Sequence, residues 1–130
     1  MADDTARLIR TDFDDDTSWE ALVETALRGN DMGFAAVFDL VEDDTFDGAD
    51  ADTIIDAFPD DPVLYLADEH AMGDQSWEIL VVEADTGAEF RVRAADVWMV
   101  ENNLSTGNMD FEEMLEQVGE DGVFTPQEGI

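Results

Sequence analysis

Apolar residues recur along this chain in two rhythms, and the switch from one to the other marks out its elements. Leu8 and Ile9 centre a short apolar segment, Ala6 to Thr11, which predicts a first strand. After the turn Asp12-Phe13-Asp14-Asp15-Asp16, Trp19, Leu22, Val23, Ala26 and Leu27 fall on one helical stripe. Thr17 and Glu20 have the spacing of a capping box at its start, Glu24 and Arg28 can pair one turn apart, and Gly29-Asn30 predicts its end. Phe34 to Val41 is apolar over a strand's length with Asp39 as its one charge, which predicts a strand buried on both faces. Beyond the acidic loop Glu42 to Gly48, the spacing of Ala51, Ile54, Ile55 and Phe58 predicts a helix that Pro59 stops.

Val63 to Ala67 predicts a third strand, and Asp68 to Gln75 reads as a polar connection. Trp77 to Glu83 and Ala88 to Arg93 are two strands joined by the hairpin signal Asp85-Thr86-Gly87. From Ala95 to Leu104 the pattern fits both a helix and a strand, and a short helix is the expectation. Asp110 with Glu113 forms a capping box, Met109 can staple to Met114, and Phe111, Met114, Leu115 and Val118 make the stripe of a last helix that Gly119 closes. Thr125 to Ile130 reads as a frayed tail. Strands separated by helices call for parallel pairing, and the hairpin adds antiparallel strands. The expected architecture is one α/β domain with a mixed sheet of about five strands and an ordered core from about residue 6 to 124.

Composition sharpens this picture in one respect. The 130 residues are 45% apolar, ordinary for a folded domain, yet 35 are acidic and only five basic, for a formal net charge of −30. All five are arginine, and lysine is absent. Charge of one sign destabilises the compact state at low salt, and a screening length of about 3 Å at 1 M salt removes most of that repulsion. Because the acids are spread over every segment, adaptation to a salt-rich cytoplasm is the expected cause. The alternative is an acidic mimic of phosphate or DNA that inhibits a basic protein such as a nuclease. Five scattered arginines make no basic patch, so direct nucleic-acid binding is not expected. No basic-plus-apolar leader precedes Met1-Ala2-Asp3-Asp4 and no run approaches the ~20 apolar residues of a membrane span, which predicts a cytoplasmic protein without membrane contact.

Candidate chemistry is sparse. Without cysteine there are no thiolate sites or disulfides. Asp12, Asp14 and Asp16 hold the first, third and fifth positions of a calcium loop, but Thr17 stands at the sixth in place of glycine and Val23 at the twelfth in place of glutamate. Asp43, Asp47 and Gly48 imitate the same loop and fail at Ile54. Neither loop is expected to hold a metal, and no cofactor is expected. His70 has no nucleophile, second histidine or phosphate-binding glycine loop to work with. A hydrolase using Asp12 or His70 is the weakest alternative.

Two places remain. Asp12 lies where a first parallel strand gives way to its helix, the end at which ligands collect in open α/β sheets, and Arg10 is one alternation away. Three of the chain's four asparagines, Asn102, Asn103 and Asn108, crowd into the apolar stretch Val97 to Phe111 beside Glu101. Buried amides need partners. Arg10, Asp12, Glu101, Asn102, Asn103 and Asn108 are therefore candidates for a structural lock or for a site that binds a protein or a small polar ligand.

These two ends also carry a resemblance. Leu8-Ile9-Arg10-Thr11-Asp12-Phe13 with Trp19, then Glu101-Asn102-Asn103-Leu104-Ser105, Asn108-Met109-Asp110-Phe111-Glu112-Glu113 and Asp121-Gly122-Val123-Phe124, resemble a family of small uncharacterised bacterial domains. Met99, and Thr125-Pro126 after Phe124, depart from its pattern. The resemblance implies that the two end motifs belong to one fold unit, and it implies no activity. A non-catalytic binding or interaction module is the expected function.

Overall fold

The computed structural model describes residues 6–28, 38–73, 77–106, 110–120 and 122–124. In chain order the elements are β1 (Ala6–Arg10), α1 (Asp16–Arg28), β2 (Phe38–Val41), a 3-10 turn (Asp44–Phe46), α2 (Ala51–Ala57), β3 (Val63–Ala67), α3 (Glu69–Gly73), β4 (Glu78–Glu83) and β5 (Glu89–Arg93). A second 3-10 turn (Ala94–Asp96), α4 (Val97–Thr106), α5 (Phe111–Glu116) and β6 (Val123–Phe124) complete it. All strands join one sheet in the order β2-β1-β3-β4-β5-β6. The first three are parallel, β3-β4-β5 are antiparallel, and β6 runs parallel to β5. The mixed α/β sheet is the one expected, with β6 as the additional strand.

Side-chain alternation gives the sheet two cores. Leu8, Tyr65, Val81 and Phe90 face one side, where Trp19 and Leu22 of α1, Val97 and Val100 of α4, and Met114 of α5 cover them. Ile9, Leu64, Leu66, Leu80 and Val82 face the other, where Ile54 of α2 is the buried helical residue. Right-handed crossovers that travel in opposite directions must lie on opposite faces. The chain moves outward from β1 to β2 over α1, then back past β1 to β3 over α2, so the winding reverses between β1 and β3.

Four expectations are corrected. Of the apolar run Phe34 to Val41, residues 34–37 lie outside the described residues, and Phe38–Val41 form an edge strand on which Asp39 and Leu40 are exposed. A run of apolar residues records strand length, whereas the sheet order decides whether both faces are covered. Asp68 to Gln75 is not simply a connection: its first part folds as α3, with Ala71 and Met72 buried and the Asp68 side chain accepting from the Ala71 amide at 3.0 Å. Residues 74–76 lie outside the described residues. The cap of α1 is Asp15, which accepts from the amides of Thr17 at 3.0 Å and Ser18 at 3.2 Å, displacing the expected Thr17 box. In that helix Leu27 is exposed. The signals at Gly29-Asn30, Met109 and Thr125 to Ile130 fall outside the described residues.

Other local expectations hold. The ambiguous segment is helical as α4. The α5 capping box has both arms, with Glu113 N donating to Asp110 Oδ1 at 2.9 Å and Asp110 N donating to Glu113 Oε1 at 3.1 Å. Gly87 turns the β4–β5 hairpin at φ 74°.

Candidate functional site

The sheet's topology puts three loops at the carboxyl ends of β1, β2 and β3, beside the reversal where such folds bind ligands. Arg10 ends β1 and, alternating with Leu8, points to the α1 face. It is 3% exposed. A buried guanidinium needs its donors satisfied. Its Nε donates to the Asp12 carbonyl at 2.8 Å, its Nη2 donates to Asp16 Oδ1 at 2.8 Å, and Glu42 Oε1 lies 3.6 Å from Nη1. The Phe13 ring lies 4.5 Å and the Trp19 ring 5.6 Å from the guanidinium carbon. Arg10 therefore ties the end of β1 to the start of α1 and the end of β2. The structure brings Arg10 and Asp12 together, but through the Asp12 carbonyl: the Asp12 carboxylate accepts from the Asp14 amide at 3.0 Å.

The second predicted group sits on α4. Glu101 is 5% exposed. Asn102 Nδ2 donates to Glu101 Oε1 at 3.3 Å, and Asn103 Nδ2 donates to the Met99 carbonyl at 2.8 Å, one turn back in the same helix. All three residues have further interactions. Burial, with the Glu101 charge as the smaller cause, pushes the Tyr65 phenol far above its ordinary range, and Val97 and Val100 of α4 pack in the same cluster as Tyr65, on the α1 face. The Arg10 group and the α4 group thus share one face of the sheet. Asn108 lies outside the described residues.

Two aspartates of the false calcium loop are likewise engaged locally, Asp12 with a backbone amide and Asp16 with Arg10. Among the described residues no group of three His, Asp or Glu gathers to hold a metal ion. His70 stands on α3 with its Nε2 3.1 Å from Glu78 Oε1.

A hollow lies on the opposite face. On this face Ile54 of α2 shares a buried cluster with Ile9 of β1, Leu64 and Leu66 of β3, and Leu80 and Val82 of β4. Between the start of α2 and β5 runs a groove of about 440 Å³. Leu66 and Leu80 floor it, Asp50 and Asp52 stand on the α2 side, and Glu89, Arg91 and Asp68 line the other side. Arg91 donates from Nη1 to Asp68 Oδ1 at 3.0 Å and to the Glu78 carbonyl at 2.9 Å, and from Nη2 to Asp68 Oδ2 at 2.7 Å. Burial alone would raise the Asp68 pKa, but hydrogen bonds from Arg91 and the Ala71 amide, with the charges of Arg91 and His70, outweigh it and hold the carboxyl below its ordinary value. This fork-to-fork pair stitches β3, β4 and β5 together.

Sequence reasoning passed over Asp68, Leu80 and Arg91. The available signal was scarcity: in a chain with five cations, an arginine on the alternating face of a predicted strand needs a partner. No helix among the described residues is long and apolar enough to cross a membrane.

The family described as Domain of unknown function (DUF6924) matches residues 5–127, which includes both groups of predicted residues and the groove. No characterised relative matches the chain.

Proposed function

We propose that the chain, which belongs to the DUF6924 family, is a non-catalytic binding module whose ligand sits in the groove between α2 and β5. The observation that carries this reading is the groove itself, about 440 Å³ with leucines beneath and charged groups at the sides. Ligand sites are concave and carry placed polar groups, and here the lining is mostly charged. Arg10, Asp12, Glu101, Asn102 and Asn103 then serve as locks, because their polar atoms meet partners within the domain. The 35 acidic residues belong to the same reading as an adaptation to a salt-rich cytoplasm.

The test is a two-dimensional amide NMR titration of the labelled domain with a panel of cationic, anionic and neutral small molecules. Members that bind must move the amides of Ala51, Leu66, Leu80 and Arg91. Shifts centred on Arg10, Asn102 and Asn103 instead would overturn the assignment and return those residues to the binding site.

A further inference from the structure

We infer that His70 is a proton-responsive latch: on taking up a proton it ties α3 more tightly to the start of β4, and the fold gains stability as the pH falls through the neutral range. The chain has one histidine and no cysteine, and histidine is the side chain whose ordinary titration spans about pH 5 to 8. What that proton does depends on where the ring sits. His70 Nε2 lies 3.1 Å from Glu78 Oε1. The Glu78 side chain is 17% exposed and that of His70 54%, so the carboxylate is held by the structure while the imidazole keeps its access to protons from solvent. Glu78 is also fixed from behind, because its carbonyl accepts from Arg91 Nη1 at 2.9 Å.

The helix that carries the ring needs such a tie. α3 has five residues, far fewer than a helix requires to persist by itself, and it stays in place through tertiary contacts. Ala71 and Met72 hold its inner side in the core, and the Asp68 carboxylate caps the Ala71 amide. His70 adds a link from its exposed side to the sheet, eight positions along the chain.

Charges around the ring favour the cation. Asp68 and Glu69 adjoin it in sequence, and the charge of His70 acts on Asp68. β3, Val63 to Ala67, carries no charged residue, and β4 presents Glu78. On β5, Arg91 is taken up by Asp68, while Arg93 stands opposite Glu78 with its charge acting on Asp96. α1, which lies beside α3, carries Asp16, Glu20, Glu24 and Arg28. Asp16 is engaged by Arg10, and Arg28 by Glu24.

Neutral imidazole can share one hydrogen with Glu78, whereas the imidazolium makes a charge-assisted bond about twice as strong. The unfolded chain holds no carboxylate at that distance. Protonation therefore favours the folded arrangement, and the stabilisation is present at the acid end of the histidine range and lost as the pH rises through it.

The test measures Tm of the intact domain in about 1 M potassium chloride between about pH 5.5 and about pH 8, for the unsubstituted chain, His70→Gln and Glu78→Gln. As the pH falls, the unsubstituted domain should gain about 2–4 °C more than His70→Gln, and Glu78→Gln should lose most of that extra gain. An equal gain in His70→Gln overturns the inference, and so does a full gain retained in Glu78→Gln. Amide hydrogen exchange on the unsubstituted domain decides the question even if a variant folds poorly. After correction for intrinsic rates, protection of the Ala71 and Met72 amides relative to Met114 should be about threefold higher at the acid end. An unchanged ratio overturns the inference as well.

Discussion

Arg10→Met tests whether the end of β1 is a lock. Methionine keeps a flexible apolar stem in a position that is 3% exposed, and removes only the charged fork. Three contributions disappear. The charged hydrogen bond to the Asp12 carbonyl, made where water is excluded, contributes about 1.5–2 kcal/mol. The bond to Asp16 contributes about 0.5 kcal/mol, because the Asp16 side chain is 79% exposed and water competes for it. Stacking of the desolvated guanidinium on Phe13 and Trp19 contributes about 1 kcal/mol. The expected loss is about 3 kcal/mol, or roughly 10 °C in Tm for a domain of this size. Urea unfolding followed by tryptophan fluorescence in about 1 M potassium chloride measures it. Because most of the loss comes from the carbonyl bond and the rings, it should persist as salt rises to about 3 M. A loss below about 1 kcal/mol would refute the reasoning. So would a loss that vanishes in concentrated salt, since the exposed ion pairs would then be the main contribution.

Three further outcomes are expected. Thermal unfolding from about 0.1 M to about 3 M potassium chloride should show Tm rising steeply, because screening relieves a net charge of −30, and a flat curve would remove salt adaptation as the cause of the acidity. Asp68 has a depressed pKa in the fold, so its contribution is present above its unfolded value near 3.8 and is lost as pH falls below that through the folded value. Asp68→Asn should therefore cost stability at pH 6 and converge with the unsubstituted domain in acid, and parallel curves would contradict the assignment. Trp77 is the one non-glycine residue with positive φ among those described, at 52°, a conformation costing about 1 kcal/mol for a side chain with Cβ. Trp77→Gly should then be no less stable than Trp77→Ala in urea, and an alanine variant more stable by about 1 kcal/mol would refute the strain.

Local signals in the sequence predicted local structure well. The α1 stripe, the α5 capping box, the hairpin at Gly87 and the helical character of α4 all depend on residues within a few positions of one another, so periodicity and cap chemistry sufficed. Where two short-range solutions competed, prediction chose wrongly. Asp15 and Thr17 can both cap α1, and the aspartate took the amides. β6 is two residues long, too short for alternation to register, and exists because β5 offers it an edge.

The candidate site divides along the same line. That Arg10 needs partners follows from its place in an apolar strand, and a helical amide such as Asn103 commonly bonds back one turn, so these contacts were legible from composition and spacing. The groove was not. Its lining is brought together by registry, which sets Leu66 beside Leu80 and Leu80 beside Arg91. By itself the sequence determined most element types, though not α3 or β6, together with the α/β class and the net charge, since these follow from near neighbours and from counting. Only the tertiary structure decided that β2 is an edge, that α1 and α2 lie on opposite faces and that Asp68 meets Arg91 across 23 positions. Those outcomes depend on strand order and register, which couple residues far apart in the chain and leave no mark on local periodicity.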